Sequence, residues 1–244
     1  MIEIDINKIE IKSASNSHLW IKIREFLGSF TYRQPPGRNM KFFVKERNWL
    51  LGILELSSPV INLKVRDEYL KLKGKDKGKK LRNIAEMTTC MATQPFGYFY
   101  NGGKLIALLG STLKKEYKEK YGDDLLWVTT MGRNKRPTQY DRAMKFLGYS
   151  KGKTFSHIDD RKYAEMMNWL KNHNYPIPSA EFGAGSNARM RRILAYIKYS
   201  KDRTIKYEEV KRPIYILPTT SERKEIIKYW WKRFGEKRYQ KMTG

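Results

Sequence analysis

The segment 84–154 constrains the fold of this chain most, because strand-like and helix-like patterns alternate along it. It opens with IAEMTTCMATQPFG, where Thr and Met suit the half-buried surface of a strand. A glycine-rich turn at 101–103 leads into the amphipathic helix KLIALLGSTLKKEYKEKYG and then into the strand DLLWVTTMG. The pattern next predicts a helix over TQYDRAMKFLGY, opened by Pro137 and closed by Gly148, and an extended piece at YSKGKTF. This order predicts helices packed on a sheet.

The residues before this segment add strands to the same sheet. MKFFVKER and WLLGILELSS are predicted to form its central hairpin, around a turn at Arg47 and Asn48. Before them, SNSHLWIKIREFLGSF has a polar start, apolar residues at helical spacing and a stop at Gly28. The predicted fold class is α/β (α+β), with a mixed, mainly antiparallel sheet flanked by helices.

The chain changes character beyond Thr154, where basic amphipathic helices dominate. SNARMRRILAYIKYSKDR and TTSERKEIIKYWWKRFGEKRYQKM each combine an apolar face with basic residues. Between them KYEEVKRPIYILP predicts a strand, and Pro213 favours an edge position because proline donates no backbone hydrogen bond. We therefore predict a domain at 1–156 and a basic C-terminal extension at 157–244 that packs on it.

The charge of the chain indicates its partner. Fifty Lys and Arg against 25 Asp and Glu leave a net charge of +25, far more than solubility requires. Such a surplus predicts a polyanionic partner, most commonly nucleic acid. The sequence has no signal peptide and no apolar run of about 18 residues, so we expect no membrane partner and a cytoplasmic location.

Cysteine and histidine content argues against a metal centre. A single cysteine excludes an internal disulfide and Cys-based zinc fingers, and three scattered histidines make a His-rich site improbable. His157, followed by Asp159 and Asp160 in SHIDD, leaves one carboxylate-bearing metal site as an alternative. We favour the simpler interpretation of SHIDD as a helix N-cap.

Several basic stretches are candidates for phosphate contact. We call residues 71–82, KLKGKDKGKKLR, the basic segment. It has seven Lys and Arg among its twelve residues, together with two glycines, and it is too polar to be buried. The other candidates lie in the loops TYRQPPGRN and RNKRP and in the two basic C-terminal helices. The predicted nucleic-acid-binding residues are Arg33, Arg38, Lys73, Lys75, Lys77, Lys79, Lys80, Arg133, Lys135, Arg136, Arg189, Arg192, Lys232 and Arg233.

The order of elements in 84–154, with a tyrosine in the second helix and a closing FLGY, resembles the acyl-CoA-handling half of the GNAT acetyltransferase fold. In that fold the first strand splays from the next, and the pantetheine arm lies in the opening with its pyrophosphate at the following helix N-terminus. The usual phosphate-loop pattern is replaced here by the glycines of GYFYNGGK. The resemblance implies acyl-CoA (acetyl-CoA) as a cofactor, bound by Thr88, Cys90, Gly102, Gly103, Lys104 and Ser111.

Two narrower resemblances concern function. Residues 37–154, from GRNMKFFVKERNWLLGILELSS to YDRAMKFLGYSKGKT, are similar to the DruA-type proteins of Druantia anti-phage systems. Residues 86–152 also resemble Mom, the phage family that modifies adenine in its own DNA on a GNAT-like scaffold. Tyr140 matches the helix tyrosine of Mom, whereas Thr129, Thr130 and Met131 stand where Mom carries an acidic residue at the strand end.

These resemblances imply a GNAT-like, Mom-like transferase acting on a DNA base, with DNA expected over RNA. Tyr140 is then the acid for, or hydrogen-bond donor to, the departing thiolate, and Glu86 is the candidate base. The alternative is a non-catalytic DNA-binding protein on a degenerate GNAT scaffold. A nuclease is a third hypothesis with less support, because no convincing carboxylate cluster extends beyond Asp159, Asp160 and the distant Asp123 and Asp124. The oligomeric state is left open.

Overall fold

A mixed sheet of seven strands organises the protein, in a computed structural model that describes residues 4–28, 32–133, 135–155, 157–179 and 186–243. The strands are β1 (Ile9–Ser13), β2 (Asn39–Glu46), β3 (Trp49–Ser57), β4 (Ile84–Ala92), β5 (Trp127–Met131), β6 (Lys145–Tyr149), β7 (Gly152–Thr154), β8 (Glu208–Val210) and β9 (Pro213–Pro218). The main sheet has the order β1-β2-β3-β4-β5-β9-β6, and of its neighbouring pairs β4 and β5 are parallel and the others antiparallel. The predicted fold class, a mixed and mainly antiparallel sheet flanked by helices, is confirmed.

The helices lie between these strands and at the end of the chain. They are α1 (Ser17–Leu27), α2 (Lys64–Tyr69), α3 (Lys77–Leu81), α4 (Phe96–Phe99), α5 (Gly102–Leu109), α6 (Lys114–Tyr121), α7 (Asp160–Asn172), α8 (Ser186–Ser200), α9 (Arg223–Trp230) and α10 (Glu236–Thr243). Short 3-10 segments occupy Ile6–Lys8 and Gly110–Thr112, and the π-helix Trp231–Gly235 joins α9 to α10.

The chain divides into two units, one made of Met1–Ser150 with Arg212–Gly244 and the other of Lys151–Lys211. This division differs from the predicted parts 1–156 and 157–244 because β9 returns to the main sheet between β5 and β6. The two strands that flank the smaller unit in sequence are held together at their ends. Ser150 N donates to Arg212 O over 2.8 Å, and Arg212 N donates to Ser150 Oγ over 3.1 Å.

The first half of the larger unit follows the sequence prediction. The hairpin of β2 and β3 turns at Arg47, whose φ of 51° is the left-handed value that such a tight turn needs. The helix α1 begins where the Asn16 side chain accepts a hydrogen bond from Leu19 N over 3.0 Å, and it ends at Gly28. Both predictions are confirmed.

Two predicted helices are wrong in part. The residues 138–149 form turns followed by β6, which pairs with β9. The sequence FLGY therefore belongs to a strand, and its partner lies far away in sequence. The helix predicted over 104–122 is interrupted at Gly110–Thr112, where Ser111 Oγ donates to Leu108 O over 2.7 Å and Thr112 Oγ1 to Leu109 O over 2.9 Å. Such side-chain bonds compete with the helical backbone bonds.

The edge position predicted from Pro213 is also wrong. β9 lies inside the sheet, with β5 on one side and β6 on the other. Pro213 is tolerated there because it is the first residue of the strand, where it faces Tyr149, and the ladder continues from Ile214.

The two faces of the main sheet carry different layers. On one face α5 is almost wholly buried, and its Leu105 and Leu109 share the main core with Trp230 of α9. Alternation along β4, shifted by one residue at a bulge near Thr88, directs Met87 and Cys90 to this core and Glu86 and Thr89 to the opposite face. α1 covers part of that opposite face, where the buried Trp20 donates to Phe42 O over 3.1 Å.

The smaller unit, Lys151–Lys211, has a core of its own. α7 and α8 pack with the two-stranded ribbon β7-β8 around Phe155, Ile158, Met166, Ile193 and Ile205. As predicted, Asp159 caps α7, accepting a hydrogen bond from Lys162 N over 2.7 Å. This contact supports the N-cap interpretation of SHIDD.

Candidate functional site

The parallel pair β4-β5 opens along its length. Among the described residues the ladder joins Ile84, Ala85 and Glu86 to 127–129, whereas β4 continues to Ala92. Beyond Glu86 the two strands diverge, so the backbone groups of β4 need other partners there. This divergence is the place where the sequence predicted an opening for a cofactor.

The chain itself fills the start of this opening. Gln139 Nε2 donates to Cys90 O over 2.8 Å, and Thr130 Oγ1 donates to Met87 O over 2.9 Å. The Tyr140 ring packs against the main core with its centroid 5.4 Å from that of Tyr215, and its hydroxyl interacts with Cys90, Thr130 and Gln139. Side chains from the β5 side therefore satisfy the free carbonyl groups of β4.

The turn that carries Gln139 and Tyr140 is held by one carboxylate. Asp141 accepts hydrogen bonds from Thr138 N over 2.6 Å, from Arg136 Nε over 2.6 Å and from Tyr215 Oη over 3.1 Å. Three donors on one carboxyl group fix the turn. Arg136, a predicted phosphate contact, is thereby engaged within the larger unit.

Burial sets the chemistry of this region. It raises the pKa of the Tyr140 phenol well above its usual value, and the nearby Cys90 raises it further. Burial likewise raises the pKa of the Cys90 thiol. Both side chains therefore stay neutral near pH 7, where Tyr140 is a hydrogen-bond donor and Cys90 is a poor nucleophile.

A small cleft lies beside the N-terminus of α5. Its volume is about 190 Å³, and its lining includes Gln94, Asn101, Gly103, Lys104 and Gln139. Pockets for drug-sized ligands usually measure about 300–1,000 Å³, so the cleft has room for a small group and not for a whole pantetheine arm.

The ammonium group of Lys104 closes one side of this cleft. It donates to Gln139 O over 3.0 Å and to Asp141 O over 2.6 Å, and burial followed by the charge of Arg142 lowers its pKa. A Cβ at Gly103 would clash with Gln139 Oε1, so a larger residue here would displace the Gln139 side chain. Of the predicted cofactor residues, Cys90, Gly102, Gly103 and Lys104 lie together here.

The other predicted cofactor and catalytic residues lie elsewhere. Ser111 is buried beyond the far end of α5, and Thr88 projects with Thr89 towards the opposite face, at a bulge in the β3-β4 ladder. Glu86 also faces that side, where its carboxylate accepts from Val60 N over 3.1 Å and burial raises its pKa. Glu86 and Tyr140 are on opposite faces of the sheet and form no common site.

Sequence reasoning missed Glu55 of β3, a carboxylate that is 1% exposed and accepts hydrogen bonds from four side chains. Its Oε1 accepts from Tyr32 Oη and from Asn39 Nδ2, each over 2.5 Å. Its Oε2 accepts from Thr88 over 2.9 Å and from Thr89 over 3.1 Å. The available signal was a single acid inside the apolar strand WLLGILELSS.

Cations surround this carboxylate. Arg24 is 4% exposed. Burial lowers its pKa below the usual value, and the charge of Glu55 offsets part of this decrease. Lys41 is also buried; it donates to Asn39 Oδ1 over 2.9 Å, and its ammonium lies 5.6 Å from the centroid of the Trp20 ring. The carboxylate is the negative centre of a buried polar cluster that joins α1, β2, β3 and β4, and we call it the Glu55 cluster.

The predicted phosphate-contacting residues divide into two groups. Arg38 is held by Asp123, Tyr117 and Arg82 O, and Lys77 by Asp67 and Asn62. In the smaller unit, Arg189 binds Asp160, and Arg192 binds Pro178 O. The residues with exposed side chains are Arg33, Lys73, Lys75, Lys79, Lys80, Arg133, Lys135, Arg136, Lys232 and Arg233, of which Arg136 is also paired with Asp141.

The basic segment is more ordered than a solvated loop. Leu72 and Leu81 are buried against Ile84, and α3 starts beside the contact of Lys77 with Asp67, 2.8 Å long. The exposed lysines of this segment are thus presented from a fixed support at the start of β4. Lys73, Lys75, Lys79 and Lys80 remain predicted phosphate contacts.

Within the described ranges, no group of three or more His, Cys, Asp and Glu side chains is placed to hold a metal ion. No helix in the same part of the chain combines the length and the hydropathy needed to cross a bilayer.

Comparison with known proteins places the chain in a family. The family model described as "Druantia protein DruA" matches residues 1–229. Druantia protein DruA of Escherichia coli (strain UMEA 4076-1) is 27% identical over 179 residues, which are 64% of this chain and 44% of the relative. This chain therefore spans less than half the length of that relative.

A solved structure is also similar, at a lower level. A tandem GNAT protein from the clavulanic acid biosynthesis pathway (without AcCoA) has a TM-score of 0.37 and 8% identity, covering 86% of this chain and 98% of that chain. A likeness of this size carries no argument about function. The match to the family model spans most of the sequence, and the chain belongs to the DruA family of Druantia proteins.

Proposed function

We propose that this chain binds nucleic acid, DNA rather than RNA, as part of an anti-phage defence protein. The observation that carries the proposal is the net charge of +25, with exposed lysines clustered on the basic segment. Such a surplus releases condensed counterions from a polyanion and drives association. The preference for DNA rests on the resemblance to Mom proteins, and a cytoplasmic location stays a prediction.

The basic segment suits contact with the backbone rather than with the bases. Lys73, Lys75, Lys79 and Lys80 are exposed, lie close in sequence, and sit on either side of the start of α3. Lysine neutralises phosphates as a point charge and carries no sequence information by itself. We therefore infer binding with little sequence preference at this surface.

Replacing Lys73, Lys75, Lys79 and Lys80 together with glutamine tests this surface. Each phosphate contact that is lost should reduce the slope of log affinity against log salt by about one unit. We expect the quadruple variant to bind a fluorescent DNA duplex more weakly and with a slope lower by about four units. Fluorescence anisotropy titrations at several salt concentrations measure both quantities.

A matched control separates local contact from overall charge. Lys8, Lys12, Lys64 and Lys115 are also exposed, each in a surface ion pair, and their replacement by glutamine removes the same charge. We expect the control variant to keep most of the wild-type slope. Equal losses in the two variants would contradict a role for the basic segment, and absence of DNA binding by the wild type would contradict the proposal itself.

A second candidate function is an acyl-CoA-dependent transferase acting on a DNA base. It is supported by the divergence of β4 from β5 beyond Glu86. It requires Gln139 and Tyr140 to leave the opening that they now occupy. We therefore rank it below binding without catalysis.

Calorimetry with acetyl-CoA distinguishes the two functions. We expect no binding heat with the wild type, because Gln139 already donates to Cys90 O where a pantetheine arm would pair. Saturable binding that is lost when Gly103 is replaced by valine, together with modified nucleosides in DNA from expressing cells, would establish the transferase instead. Tyr140→Phe would then lower the rate of transfer.

A further inference from the structure

We propose that the unit Lys151–Lys211 binds unpaired bases by stacking them on a group of surface aromatic rings. This inference rests on the proposed function, and it specifies that the nucleic acid bound by this unit is single-stranded. The rings belong to Trp169 and His173 at the end of α7, to Tyr175 just after it, and to Tyr199 of α8. We call these four rings the aromatic stack.

The four rings are nearly parallel. The Trp169 and His173 centroids are 4.1 Å apart at an interplanar angle of 22°, and those of Trp169 and Tyr175 are 5.6 Å apart at 16°. Tyr175 and Tyr199 follow at 4.4 Å and 12°. These separations and angles are typical of stacked aromatic rings. An unpaired base can therefore add to this stack as one more ring at the same spacing.

The aromatic stack lies outside the core of its unit. That core contains Met166 and Ile193, with Tyr196 partly buried against it. Of the four rings, none belongs to this core within the described residues, His173 is exposed, and Tyr175 is 37% exposed. Edge contact of Trp169 with Tyr196, at 5.4 Å and 79°, joins the stack to the core. Exposed aromatic area of this kind marks a binding surface.

Hydrogen bonds hold the stack in place before any ligand arrives. Tyr175 N donates to Leu170 O over 2.9 Å, and His173 Nδ1 lies 2.9 Å from Trp169 O. Arg192 Nε donates to Pro178 O over 3.0 Å, which ties the segment after Tyr175 back to α8. A preorganised surface loses little conformational entropy on binding.

The surroundings favour nucleic acid over an apolar protein partner. The Lys198 ammonium lies 5.3 Å from the Tyr199 centroid, and its side chain is exposed. Cations beside stacked rings bind the phosphates that accompany each base. Paired bases of a duplex are already stacked on one another, so the aromatic stack selects unpaired ones.

The test compares single-stranded and duplex DNA with the full-length chain. Fluorescence anisotropy measures binding of a fluorescein-labelled oligo-dT and of a labelled hairpin duplex at one salt concentration. Replacing Tyr175 and Tyr199 with leucine should weaken oligo-dT binding by about 5- to 150-fold, the range for one lost base stack, and leave duplex binding unchanged. The Tyr175→Phe, Tyr199→Phe variant keeps both rings and should bind oligo-dT like the wild type.

A control variant and the pattern of affinity losses distinguish failure of the aromatic stack from failure of the proposed function. Phe26, 88% exposed in the larger unit, is replaced by leucine to show the effect of losing an unrelated surface ring, and we expect none. Unchanged oligo-dT affinity in the leucine variant, with duplex binding intact, overturns the aromatic stack and leaves the proposed function standing. Equal loss of oligo-dT and duplex binding also overturns it, and a wild-type chain that binds neither ligand overturns both proposals.

Discussion

Raising the salt concentration from about 50 to about 200 mM is expected to weaken binding of this chain to duplex DNA by about 10³- to 10⁵-fold, as for proteins that contact six to ten phosphates. The expectation follows from the net charge of +25, because each phosphate neutralised by Lys or Arg releases a counterion whose return is favoured by salt. Anisotropy titrations in potassium chloride measure the slope directly.

A comparison of anions serves as the control for this experiment. Chloride and glutamate at equal concentration supply the same cation, so counterion release from DNA predicts similar slopes for both salts. If the affinity for DNA hardly changed with salt concentration, the Lys and Arg side chains of the protein would not be in contact with phosphates. In that case the surplus of Lys and Arg would need another explanation, and the proposed function would fail.

Replacing Glu55 with alanine is expected to lower the free energy of unfolding by about 3–5 kcal/mol, the usual cost of removing one partner from a buried charge group. Arg24 and Lys41 would remain buried without the carboxylate, and the donors on Tyr32 and Asn39 would lose their acceptor. Urea denaturation followed by tryptophan fluorescence measures the change.

Glu68 provides the matched control for Glu55. Its carboxylate is 60% exposed and pairs with Lys64 over 3.5 Å on the surface of α2, so alanine there should cost less than about 1 kcal/mol. A loss at Glu55 no larger than that at Glu68 would contradict the central place of the Glu55 cluster. Glu55→Gln, which keeps one acceptor oxygen, should fall between the two.

Sequence patterns predicted correctly those helices and strands whose ends are fixed by nearby residues. The hairpin of β2 and β3 follows from alternation along each strand and a turn that Arg47 can adopt, and α1 follows from the Asn16 cap and Gly28. The β6 strand shows the limit. Its residues fit helical spacing, but β9 supplies a ladder from more than sixty positions away, and tertiary pairing overrides local propensity.

The candidate site was predictable only in outline. The divergence of β4 and β5 follows the resemblance to the GNAT fold, but nothing in a one-dimensional pattern shows that Gln139 turns back onto Cys90 O. Glu55 was missed for the same reason, because its donors come from β2, β4 and the loop before β2, which are distant in sequence. The net charge, which needs no geometry, is the basis of the predicted polyanionic partner.

The pair of hydrogen bonds between Ser150 and Arg212 has an evolutionary consequence. Because the two ends of the intervening stretch are joined by one backbone hydrogen bond and one bond to the Ser150 hydroxyl, the strand order of the main sheet does not depend on what lies between them. Insertion of new material is tolerated best where the entry and exit points are adjacent. A module enclosed in this way can be lengthened, trimmed or exchanged while the framework of the main sheet is kept.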